Sequence, residues 1–90
     1  MSTLQDGAIS GTVIDNDDTP LPGVTVTLTG VGAPHVQVTN YQGQFKFPSL
    51  QPGSYEVEAQ LEGFTSVTEP ITVNKDKTSN IVVTLQPEFE

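Results

Sequence analysis

The stretch Gly23-Val24-Thr25-Val26-Thr27-Leu28-Thr29-Gly30 alternates without a break between an apolar and a polar residue, and a glycine closes each end. Period two is the signature of a strand with one face buried, because successive side chains of a strand point to opposite faces. Val24, Val26 and Leu28 are expected inward and Thr25, Thr27 and Thr29 outward, with β-branched residues suited to a pleated surface on both sides. The same pattern recurs along the chain. Ala8 to Asp15 carries Ile9 and Val13, the segment from His35 carries Val36 and Val38, and Gly43 to Leu50 carries Phe45 and Phe47. Ser54 to Glu62 sets Tyr55, Val57, Ala59 and Leu61 against Ser54, Glu56, Glu58, Gln60 and Glu62. Phe64 to Val73 is interrupted by Pro70, which points to an edge strand or a bulge. Ser79 to Pro87 carries Ile81, Val83 and Leu85. Eight glycines and seven prolines leave no room for a helix beyond a turn or two. Seven short strands separated by turn signals predict an all-β sandwich.

The connections are readable in the same way. In Gln51-Pro52-Gly53-Ser54 a proline ahead of a glycine fits a type II turn. In Thr39-Asn40-Tyr41-Gln42-Gly43 an asparagine that can bond its own backbone precedes a glycine, which predicts a tight hairpin between the third and fourth strands. Asp15 to Gly23 is too long and too rich in breakers for a hairpin. It is expected to cross between sheets or wrap an edge.

Ninety residues make one domain with one two-layer core, expected over 7–86 between a flexible N-terminal segment (1–6) and a C-terminal tail (87–90). Hydrophobic residues are 34% and charged residues 16%, which is not the charge-rich profile of a disordered chain. Without cysteine there is neither a disulfide nor a thiolate metal site. Eleven acidic residues against three lysines give a net charge of −8, so no basic footprint for nucleic acid or anionic lipid can be built. No run approaches the ~18 apolar residues of a membrane helix, and Met1 to Ser10 lacks the basic and apolar regions of a signal peptide.

Chemistry is sparse. Glu56 and Glu58 share a strand face at roughly 7 Å, inside the ~6.5–9.5 Å range of inverting glycosidase carboxylates. An acid catalyst of this kind sits in an apolar pocket, and their face is polar throughout. His35 is the one histidine, expected exposed at a strand start, and no serine sits in a nucleophile elbow. The expectation is a chain that is not an enzyme and needs no cofactor. Asp15, Asn16, Asp17 and Asp18 offer hard oxygen ligands for calcium, but the spacing lacks the sixth-position glycine and the twelfth-position glutamate of an EF-hand loop. The simpler expectation is that Asp15 caps the loop, so no metal site is assigned. A Lys–Asn isopeptide crosslink would need a buried lysine, whereas Lys46 points away from Phe45 and Phe47, and Lys75 and Lys77 lie in a polar turn. Sugar binding would use exposed rings; Tyr41 and Phe64 are the candidates, since Phe45, Phe47 and Tyr55 are needed for the core.

Five segments taken in order resemble the carboxypeptidase regulatory-like domain family, a transthyretin-like sandwich similar to collagen-adhesin B-type repeats. They are Gly11-x-Val13-x-Asp15, Pro20-Leu21-Pro22-Gly23-Val24, Gly43-x-Phe45-x-Phe47, Leu50-x-Pro52-Gly53-x-Tyr55-x-Val57 and Gly63-Phe64. The resemblance implies a seven-stranded Greek-key β-sandwich with no catalytic residues of its own. It further implies an accessory module of a longer secreted or cell-envelope protein, a rigid spacer or protein-interaction domain whose partners are neighbouring domains or another protein. Carbohydrate binding, with a polysaccharide partner, is the alternative function, and cytoplasmic residence the alternative location. Relatives that form isopeptide bonds carry a lysine in the first strand, and Ala8 to Asp15 has none.

Overall fold

The computed structural model describes residues 6–88; the expected N-terminal segment lies outside them but for Asp6, whereas Pro87 of the expected C-terminal tail is described and lies in a strand. Among the described residues nine strands form: β1 (Gly7–Ile14), β2 (Thr25–Thr29), β3 (His35–Val38), β4 (Gln44–Leu50), β5 (Gly53–Gln60), β6 (Phe64–Thr65), β7 (Val67–Val73), β8 (Thr78–Thr84) and β9 (Gln86–Pro87). Seven of them build two facing sheets, ordered β4-β1-β8 and β3-β2-β5-β7, while β6 and β9 form a two-residue ribbon. The strand expected from Phe64 to Val73 is therefore broken at Ser66. Pro70 lies in β7, an outermost strand, where a missing N–H costs no ladder bond.

The chain changes sheets between β1 and β2, β3 and β4, β4 and β5, and β7 and β8, the Greek-key pattern. Asp15 to Gly23 makes the first of these crossings. The expected hairpin between the third and fourth strands is corrected: the turn is tight, but β3 pairs with β2 and β4 with β1. A good local turn does not dictate whether the strands it joins stay in one sheet. The expected type II turn is also corrected. Gly53 has φ 154°, and the chain there steps from one sheet to the other. What anchors the step is Tyr55, whose hydroxyl donates to the Gln51 carbonyl at 2.7 Å.

The core consists of Ile9, Val13, Phe45, Phe47, Leu50, Val83 and Leu85 from one layer against Val26, Leu28, Tyr55, Val57, Ala59 and Val73 from the other, with Val24 between. All the inward positions expected on β1, β2 and β4 are buried, and Leu61 and Ile81 are half-buried against this cluster. Val36 and Val38 are the correction: they are 58% and 59% exposed. In the β2–β3 ladder they stand opposite Thr27 and Thr25, so they share the outer face, while His35 and Gln37 stand opposite inward-facing Leu28 and Val26. A one-residue difference in register exchanges the faces of a strand. His35 consequently reaches Phe47 edge-on, with ring centroids 6.3 Å apart, while remaining exposed at the start of β3.

At the centre of its sheet, β1 pairs antiparallel with β4 and parallel with β8, in register from Ala8↔Thr78 to Ile14↔Thr84. Gly11 is the small residue in the middle of it. A Cβ at Gly11 would collide with the Phe45 ring and come within 2.8 Å of Ile81 Cγ2, so the tip of the aromatic ring rests on bare backbone. Gly11→Ala is expected to destabilise the domain by about 1–3 kcal/mol through overpacking, read from urea unfolding. Burial, and secondarily the Asp6 carboxylate, raise the Tyr55 pKa above its ordinary 10.0. The neutral phenol thus stabilises the fold fully below pH 10, and that stability is lost as pH rises through the higher folded-state value. Tyr55→Phe is expected to cost about 1 kcal/mol at neutral pH, with the gap to the parent protein closing in alkali.

Candidate functional site

Ladder directions gather the β1–β2 loop, the β3–β4 turn and the segment after β5 at one end of the sandwich. Val38 and Gln60 both pair with Thr25, and Val13 N–H donates to the Gly43 carbonyl at 2.8 Å. The turn here is built by Asn40. Its Oδ1 accepts from the backbone N–H of Gln42 and of Gln44, each at 2.9 Å, and its carbonyl accepts from Gly43 N–H at 2.9 Å. Gly43 has φ 73°, and a Cβ there would lie 2.6 Å from the Val13 carbonyl oxygen, so only glycine lets the turn close onto β1. Held by these bonds, Tyr41 stands at the tip, 94% exposed.

Beneath the tip lies Thr39, a buried polar side chain that sequence pattern did not single out. Its hydroxyl donates to the Leu21 carbonyl at 2.7 Å and accepts from Val24 N–H at 2.9 Å, tying the β1–β2 loop to the β3–β4 turn. Pro22, Gly23, Thr39, Asn40 and Tyr41 line an open recess of about 470 Å³. Phe64, expected to be exposed, is half-buried instead and packs against the core, because β6 is drawn down by its pairing with β9. It lines a different recess, of about 510 Å³, with Thr25, Gln60, Leu61 and Glu62. The two candidate rings thus do not come together on one platform.

The other candidates resolve singly. Asp15 Oδ1 accepts from Asp17 N–H at 2.7 Å and Thr19 N–H at 2.9 Å, so this carboxylate caps the loop as expected. Among the described residues no three His, Asp or Glu side chains converge to hold a metal ion. Lys46, Lys75 and Lys77 are exposed, far from the burial a crosslinking lysine requires. Glu56 is exposed and Glu58 half-buried on the outer face of β5. A further cleft of about 460 Å³ opens between β3 and the β1–β4 pair, where Gln37 and Val38 overhang Phe45 and Lys46.

Among the described residues no helix is long and apolar enough to cross a membrane. In fold the chain is a transthyretin-like sandwich. It is similar to Klebsiella pneumoniae 5-hydroxyisourate hydrolase (23% identity, TM-score 0.71, covering 93% of this chain and 88% of that one). It is also similar to the Bacillus anthracis TIE protein (15% identity, TM-score 0.82, covering 92% of this chain and 17% of that one). A third likeness is to the pilus 2b backbone protein of group B streptococcus (14% identity, TM-score 0.76, covering 91% and 41%). At these identities the likeness is one of fold, and the chain spans less than half of the latter two proteins. Among curated proteins none matches the sequence. The profile of the carboxypeptidase regulatory-like domain matches residues 8–86, and the chain belongs to that family.

Thr39→Val keeps the shape of the side chain but leaves Val24 N–H and the Leu21 carbonyl without their partner. It is expected to cost about 1–3 kcal/mol in thermal or urea unfolding, with Thr39→Ser recovering most of the loss.

Proposed function

We propose that this chain is a non-catalytic spacer module, set between neighbouring domains of a longer extracellular or cell-envelope protein and transmitting tension between them. The observation that carries this reading is the parallel pairing of β1 with β8. Because the first and last long strands run side by side in the same direction, the chain enters at one end of the sandwich and leaves at the other. Pulling on the two ends loads all seven β1–β8 pairs in shear together, rather than opening them one after another. Membership of a regulatory-like domain family supports the absence of chemistry, and the likeness to a pilus backbone protein accords with an envelope setting. The likeness to a hydrolase does not carry its activity across, since it is one of fold. A sugar platform would need rings on a shared face, and Tyr41 and Phe64 line separate recesses.

Single-molecule force spectroscopy tests the reading. Attached through Asp6 and Gln86, the domain is expected to unfold at markedly higher force than when attached through Asn16 and Gln86, both at the far end, where β8 peels from β1 pair by pair. Equal forces in the two geometries would remove the load-bearing role.

A further inference from the structure

Each sheet has two outer strands, and three of the four are blunted. Along β4, Pro48 lacks an N–H, and the ladder to β1 is irregular between Gly7↔Leu50 and Ile9↔Phe47, next to Ser49 at φ 60°. Along β7 there is Pro70, and Glu69, paired with inward-facing Val57, sets a charge on the inner face. β8 lies against β7, with Ser79 Oγ donating to the Thr72 carbonyl at 2.7 Å. These are the devices by which sheet edges avoid pairing with other chains. β3 carries no proline, no bulge and no charge. Its four residues, His35-Val36-Gln37-Val38, are all exposed, and two of them are large apolar side chains on the outer face. In a chain of net charge −8, no Asp, Glu, Lys or Arg occurs from Thr19 to Phe45, a segment that contains all of β2 and β3. Depletion of charge is what distinguishes the centre of a protein interface.

We propose that β3 is a self-association edge, which pairs antiparallel with β3 of a second copy of this chain and joins the two four-stranded sheets into one. The strand is self-complementary. Thr39 N–H donates to the Val24 carbonyl just ahead of β2, so by the alternation of an antiparallel ladder Val36 and Val38 direct their N–H and C=O groups outward. A two-fold axis through Gln37 sets Val36 opposite the second copy's Val38 and Val38 opposite the second copy's Val36. Each pair exchanges both backbone bonds, and the four valines form one stripe on the outer face. An axis through Val36 instead would set Val38 opposite Pro34, which has no N–H to give. An axis between two residues would set inner faces against outer ones. Of these registers, the one through Gln37 pairs every outward N–H and C=O group of Val36 and Val38. Charge-free flanks let two acidic molecules approach there, which no acidic face would allow. Two four-residue strands make an interface well below ~1,200 Å², so the association is weak and reversible.

The inference rests on the non-catalytic reading but can fail apart from it. Sedimentation equilibrium combined with amide NMR, from about 0.05 to about 2 mM protein, spans the affinity expected of so small an interface. The expected result is a concentration-dependent rise toward twice the monomer mass, with shifts centred on Val36, Gln37 and Val38. The double change Val36→Glu, Val38→Glu, at exposed positions that leave the core untouched, abolishes the rise by setting carboxylates opposite one another. Val82→Glu, at a valine 63% exposed on the other sheet, leaves it unchanged. A monomer throughout the range, shifts centred on another edge, or equal loss with Val82→Glu would each overturn the proposal. The spacer reading would survive all three, and a monomer would leave β3 free for a strand of another protein.

Discussion

The parallel ladder between β1 and β8 is the constraint on which the rest of the molecule depends. It joins the first long strand to the last, so the strands between them lie within the loop that it closes. Parallel neighbours cannot be linked by a short turn. The intervening chain must pass through the second sheet and return, and in doing so it covers the inner face of β1. The pairing therefore sets the order of both sheets, closes the core and sends the chain in and out at opposite ends. Pairings this distant in sequence fold slowly, which makes the unblocked β3 edge a liability while folding proceeds.

Two small features let β1 occupy its central place. Gly11 gives the Phe45 ring a seat on the backbone, and Phe45 in turn meets Phe47 edge-on at a centroid distance of 5.8 Å. At the far end, Gly43 lets the β3–β4 turn close against the Val13 carbonyl, and Thr39 ties that turn to the β1–β2 loop. The exposed tip at Tyr41 and the open edge of β3 are the outer consequences of this clamp. The clamp thus holds a turn in place and leaves a strand edge bare beside it.

Much of this was legible in the sequence, because burial on one face of a strand writes itself as period two. β2 and β5 have strict alternation, and the faces it predicts are the ones they show. β3 alternates as well, yet its faces are the reverse of those its alternation suggests. Alternation says that two faces differ, not which one is inward, and on an edge strand that overhangs its neighbour neither face is buried enough to decide. The turn at Asn40 and Gly43 was legible as a turn, because its chemistry is local; its crossing between sheets was not, because that depends on what β4 meets later. The sequence around Phe64 suggests an exposed ring because the short β6–β9 pairing that draws it inward joins residues more than twenty apart. Thr39 carries no pattern of its own. Its signal would have been a threonine breaking the run beyond Val38, and that is too common to single out.

Amide hydrogen exchange on the native protein tests the central role of the β1–β8 ladder most directly. If that ladder holds the fold, the amides of β1 and β8 exchange only through global unfolding, with the same free energy as denaturant melting reports, while those of β3 and β6 open at much lower cost. If β8 frays from β1 well before the remainder unfolds, with slowest exchange in β2 and β5, then the inner hairpin holds the sandwich together and the load-bearing account of its two ends is wrong.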